Sequence, residues 1–287
     1  MEFPVKYDPI IDRKPVVWPN GAKIAVHVVV NVEYFEPGKR GTSANPRLAE
    51  YTPDVYNHSW RDYGPRVGIW RMMKVLAKHG VKPTVALNAL VCLHYPQIID
   101  QIVSRDWEIM GHGLTNSHNM SGLEIDAERA VINSTLDMIE QASGKRPRGW
   151  LGPALCETWN TPRLLEELGV EYVCDWINDD EPYRMATEQG RLLSMPYSCE
   201  LNDLHLFLRA GYDAPKYLQL LKDQFDVLYE ESSEGGKVLT IPTHPFVMGH
   251  PFRSKYFDLA LQYMKKHAGV WFATGSEIAD AWVASNA

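Results

Sequence analysis

Short runs of apolar, β-branched residues alternate along the chain with stretches whose apolar positions recur every three or four residues. This is the pattern of repeated βα units over a parallel sheet. The first run, KIAVHVVVN at 23–31, is apolar almost throughout, so this strand is expected to be buried on both faces. Further strands are expected at 82–87, 107–110, 148–151, 171–174, 191–196, 237–243 and 270–273. Helices are expected at 63–80, 96–104, 125–144, 161–169, 215–231, 255–267 and 276–284. Gly80 and Gly144 stand where left-handed residues end helices, and Asn160 or Thr161 offers an N-cap. Residues 33–62 are rich in Gly, Pro, Ser and Tyr and read as one long loop. A loop of that length inside a compact domain serves function or subunit contact.

These elements predict an α/β fold: a distorted, incomplete (β/α) barrel of about seven or eight parallel strands. No repeat, low-complexity stretch or linker divides the chain, so one domain over 1–287 is expected, with 1–19 as an N-terminal extension. The composition, 45% hydrophobic and 23% charged, is that of an ordinary globular core. A net charge of -7 without a basic stripe argues against a nucleic-acid partner. Prolines and the charges of Lys6, Asp8, Asp12, Arg13 and Lys14 occupy the stretch where a signal peptide needs an apolar segment. No run has the length of a spanning helix, so a soluble, cytoplasmic protein without a membrane partner is expected. Cys92, Cys156, Cys174 and Cys199 are scattered with no C-x-x-C pair, which fits free thiols. The long loop points to a homo-oligomer.

Barrel enzymes carry their chemistry at the C-terminal ends of the strands. The first strand ends in Asn31-Val32-Glu33, and residues two apart share one side of an extended segment. The third ends in His112, followed by Asn116 and His118. The fifth ends in Asp175-Trp176, and the seventh in His244. A carboxylate, two imidazoles and an aspartate thus stand beyond four strands of one sheet, a set suited to acid–base chemistry at a single mouth.

Asn31-Val32-Glu33, Gly111-His112-Gly113, Arg148-Gly149-Trp150 and Thr243-His244-Pro245 follow one another in an order that resembles the polysaccharide deacetylase (NodB-homology) superfamily. The resemblance runs from about Pro19 to Trp282. Metal-dependent members carry a second acid where this chain has Asn31, and a second His, four residues on, where it has Asn116. An amide is a poor ligand for a divalent transition metal. Asn-x-Glu, His-Gly and the stretch from Asp175 through Asn178-Asp179-Asp180 to Tyr183 look like the allantoinase-type branch. That branch opens small cyclic amides without a required metal.

The resemblance therefore implies a hydrolase that opens a carbon–nitrogen bond in a small cyclic amide: an allantoin-like ureide, a hydantoin or a cyclic imide. No cofactor is expected. Glu33 is the expected base, provided burial lifts its pKa; His112 and His244 would polarise the carbonyl and protonate the leaving nitrogen. Asn31 and Asn116 offer amide groups to the ring edge, Asp175 its carboxylate, Trp150 and Trp176 flat faces, and Arg61 a cation. The alternative is a zinc-dependent N-deacetylase of amino sugars or polysaccharide, with Glu33, His112 and His118 around the metal.

Overall fold

The computed structural model describes residues 4–286. Within them lie strands β1 (Ile24–Val32), β2 (Thr84–Leu87), β3 (Glu108–Gly111), β4 (Gly149–Trp150) and β5 (Tyr172–Val173). Four more follow: β6 (Tyr183–Arg184), β7 (Leu193–Ser194), β8 (Lys237–Thr243) and β9 (Val270–Phe272). They form one sheet in the order β6-β7-β5-β4-β3-β2-β1-β8, with β9 on β1 beside β2. Every pairing is parallel except that of β6 with β7. The sheet curls into a mostly parallel half-barrel, the distorted and incomplete barrel that the pattern predicts.

All nine residues of β1 are buried, as a strand covered on both faces requires. Val26, Val28, Val30 and Val32 pack with the helices, while Ala25 and Val29 turn to the inner cluster with Met110, Leu151 and Tyr172. The ladder stops at β8, whose Pro242 offers no N–H and is tolerated because β8 is an edge. Other contacts span the seam between β8 and β7. Thr240 Oγ1 donates to Pro196 O at 2.6 Å, Val238 N–H to Asp180 O at 3.0 Å, and Lys237 Nζ pairs with Glu181 at 2.6 Å.

The helix expected to start at 63 begins earlier. Val55–Tyr63 is helical, capped by the Asp54 side chain, and continues through a π-turn at Gly64–Gly68 into Ile69–His79. Its buried positions are Asn57 and Arg61, so no apolar stripe announces it. Gly68 lets it dock on the chain after β8, since a Cβ there would lie 2.0 Å from Pro245 O. The short antiparallel β6 is likewise absent from the sequence pattern.

At the N-terminal end of the strands sits a buried polar network. Thr84 Oγ1 and Tyr172 Oη both donate to the Glu108 carboxylate, at 2.8 and 3.0 Å, while His27 Nε2 meets Thr84 Oγ1 at 2.9 Å. Residues of the N-terminal extension pack on the barrel: Val16 and Trp18 are buried, and Arg13 grips Asp179 through two nitrogens, at 2.8 and 2.6 Å. No helix among the described residues is long and apolar enough to cross a membrane.

Candidate active site

Glu33, His112 and His244 each stand one residue beyond a parallel strand, and the curl of the sheet brings them together. Glu33 Oε1 lies 3.5 Å from His112 Nε2 and 3.5 Å from His244 Nε2. These are ion-pair distances, longer than a good hydrogen bond. The three side chains are only 3%, 3% and 4% exposed.

Each imidazole is fixed from behind. His112 Nδ1 faces Leu151 O at 2.6 Å. A carbonyl oxygen only accepts, so Nδ1 carries the proton and Nε2 is the atom turned to Glu33. His244 Nδ1 meets Asp203 Oδ1 at 2.6 Å, and its backbone N–H donates to Asp203 Oδ2 at 2.8 Å. Asp203 is wholly buried. No strand end carries it, and it lies 41 residues before His244; nothing in the sequence singles it out. Asn88 was also missed, although it directly follows β2 and the strand-end rule would have reached it. Its Oδ1 accepts from Tyr34 N–H at 2.8 Å, and its Nδ2 donates to Asn116 Oδ1 at 2.9 Å and to His112 O.

The electrostatics reverse the expectation for Glu33. Burial pushes its pKa up, but the two imidazoles outweigh burial and hold it at about 2. Burial drives His244 down, yet Asp203 and then Glu33 raise it to about 10. At neutral pH the centre is therefore a carboxylate beside a His244 imidazolium. A carboxylate held so low is a weak base, so burial does not make Glu33 the base.

The other expected residues divide. Arg61 is buried with its guanidinium 4.7 Å from the Phe35 ring, and Nη1 donates to Thr42 O at 2.7 Å. With Glu33, Phe35 and Tyr95 it lines a recess of about 10 Å³, roughly the room one water needs. Asp175 accepts the Gly152 N–H on both oxygens, at 2.8 and 3.0 Å; burial pushes its pKa up to about 6, against the lowering pull of Glu157, Gly152 N–H and His112. Trp176 Nε1 donates to Glu157 Oε2 at 3.1 Å, which brings in a third residue that the sequence did not mark. Asn31 is at the site, but its amide hydrogens go to Tyr197 Oη at 3.3 Å and Thr243 O at 3.2 Å, so it has no donor left for a ring. Asn116 keeps its Nδ2 and spends its oxygen on Asn88. Trp150 is a correction: it is wholly buried over Gly111, packed with Ile132, Leu136 and Leu164, and presents no face to a ligand.

The residues do not fit the metal centre of the deacetylase pattern. His118 is 62% exposed and pairs with Glu36 at 3.3 Å, outside the Glu33 cluster. The Asn116 oxygen is taken, and no three His, Cys, Asp or Glu side chains among the described residues are grouped as ligands. The set Glu33, His112 and His118 is thus not assembled.

The polysaccharide deacetylase family pattern matches residues 55–173. A Schizosaccharomyces pombe protein named as a polysaccharide deacetylase is 30% identical, over 96% of this chain and 94% of its own. A Helicobacter pylori peptidoglycan deacetylase is 24% identical over 78% of this chain and 86% of its own. Among solved structures, the PuuE allantoinase superposes with a TM-score of 0.86 at 29% identity, over 98% of both chains. A structure named as a polysaccharide deacetylase from Pseudomonas aeruginosa PAO1 gives 0.84 at 30% identity, over 94% of both.

Proposed function

The chain belongs to the polysaccharide deacetylase family and is a hydrolase of that family, and from that premise we propose that it opens the carbon–nitrogen bond of a small cyclic amide, such as an allantoin-like ureide, a hydantoin or a cyclic imide. The observation that carries this reading is the buried cluster of Glu33, His112 and His244, in which two imidazoles stand 3.5 Å from one carboxylate oxygen. The likeness to an allantoinase over the full chain supports it.

In this mechanism His112 takes a proton on Nε2 from a water, and the hydroxide oxygen attacks the ring carbonyl carbon. Glu33 stays a carboxylate and stabilises the imidazolium that forms at His112, as the aspartate does in a Ser-His-Asp triad. The tetrahedral oxyanion collapses, the ring C–N bond breaks, and His244 gives its Nε2 proton to the leaving nitrogen. The proton on His112 then resets His244 through Glu33, which lies 3.5 Å from both. Arg61 lines the recess beside Glu33, which has room for about one water.

The test is a product assay with allantoin, hydantoin, succinimide, a dihydropyrimidine and N-acetylglucosamine oligomers. Ring opening of one or more of the cyclic compounds is expected. Acetate release from the oligomers with every ring left intact would replace this reading by sugar deacetylation.

A further inference from the structure

The carbonyl that holds His112 and the N–H that holds Asp175 belong to the same peptide group. His112 Nδ1–H donates to Leu151 O at 2.6 Å, and the Gly152 N–H of that peptide donates to both oxygens of Asp175, at 2.8 and 3.0 Å. Only glycine lets the carboxylate settle there, since a Cβ on Gly152 would lie 3.0 Å from Asp175 Oδ2 and 2.9 Å from Cys156 O. Negative charge on the N–H side of a peptide polarises it and makes its oxygen a stronger acceptor.

Behind Asp175 stands Glu157. Its Oε2 takes the Trp176 indole N–H at 3.1 Å, and its Oε1 is buried and meets no donor. Two carboxyls packed together cannot both ionise. Burial first, and then the neighbouring Asp175, push Glu157 up to about 10, so it is Glu157 that holds the proton of the pair.

We propose that Asp175 and Glu157 are positioning residues for His112. The Asp175 carboxylate acts through the Leu151–Gly152 peptide to fix the Nδ1–H tautomer and strengthen Nε2 as a proton acceptor, and protonated Glu157 holds the pair at a single negative charge. His244 has its carboxylate in direct contact; His112 has one relayed through a peptide group. The proposal deepens the hydrolase reading and rests on His112 taking part in the reaction.

Spectra of the full chain with ¹⁵N-labelled histidine test it, with His112 assigned by its loss in His112→Gln. Asp175→Asn, which keeps the shape and an acceptor but removes the charge, should move the His112 Nδ1–H signal upfield. It should also lower kcat about tenfold, part of what a general base supplies, with KM little changed. Glu157→Gln replaces the shared proton by a fixed N–H donor and should leave the His112 signal in place. An unmoved signal in Asp175→Asn overturns the proposal even if kcat falls, because Asp175 would then act on substrate. A signal displaced in Glu157→Gln as far as in Asp175→Asn overturns it too. A displaced signal in Asp175→Asn, in a protein that opens no cyclic amide, would sink the proposed function and leave this relay standing.

Discussion

Replacing Asp203 by Asn removes the charge that keeps His244 protonated, at almost constant shape. Burial lowers His244, and Asp203 and Glu33 together reverse that and carry it from 6.5 to about 10. At ~1.4 kcal/mol per unit the net gain is ~5 kcal/mol in favour of the imidazolium. Assigning Asp203 about half of it, the variant's His244 should lose its proton roughly two pH units lower. The acid that protonates the leaving nitrogen is then missing from the alkaline side. A pH profile of kcat for ring opening reads this directly. The wild type should hold its rate until pH approaches about 10, while Asp203→Asn should fall earlier. Its kcat at the optimum should drop by ~10²–10⁴, the scale on which an Asn at the orienting position of a triad disturbs the tautomer. An alkaline limb at the same pH in both proteins, with both folded by circular dichroism, would show that Asp203 does not hold the His244 proton.

Glu33→Gln should cost ~10²–10⁴ in kcat, the scale on which a catalytic imidazole loses its supporting carboxylate, while the fold persists; near-normal turnover with a lowered Tm would mark Glu33 as structural. His112→Gln and His244→Gln should each be severe and the double variant little worse, since residues acting as a unit are non-additive; multiplicative losses would separate them. His27 is held at about 3 by burial, below its unfolded value, so its contribution to stability is complete above pH 6.5 and is lost as pH falls toward 3. Denaturant unfolding of His27→Gln between pH 6.5 and 4 should show a pH slope shallower than the wild type by up to one proton; equal slopes would contradict it.

The barrel and its mouth were readable because β1 is apolar on both faces and because parallel strands deliver their last residues to one end. Glu33, His112 and His244 follow from that alone. What stayed hidden was polar and non-local. The Val55–Tyr63 helix buries Asn57 and Arg61, so it lacks an apolar stripe. Asp203 reaches His244 across 41 residues from no strand end. Trp150 is at a strand end yet points into the packing over Gly111, because a glycine beside it leaves the space. The sign of the Glu33 shift also needed coordinates: burial was foreseeable, but two imidazoles on one oxygen were not.

In the proposed function, side chains alone supply the acid and base for opening a ring. The decisive measurement is the rate of cyclic-amide opening after exhaustive chelation and dialysis, compared with the same enzyme resupplied with zinc. Equal rates are expected in both. Loss of activity on chelation that zinc restores would contradict the proposed function.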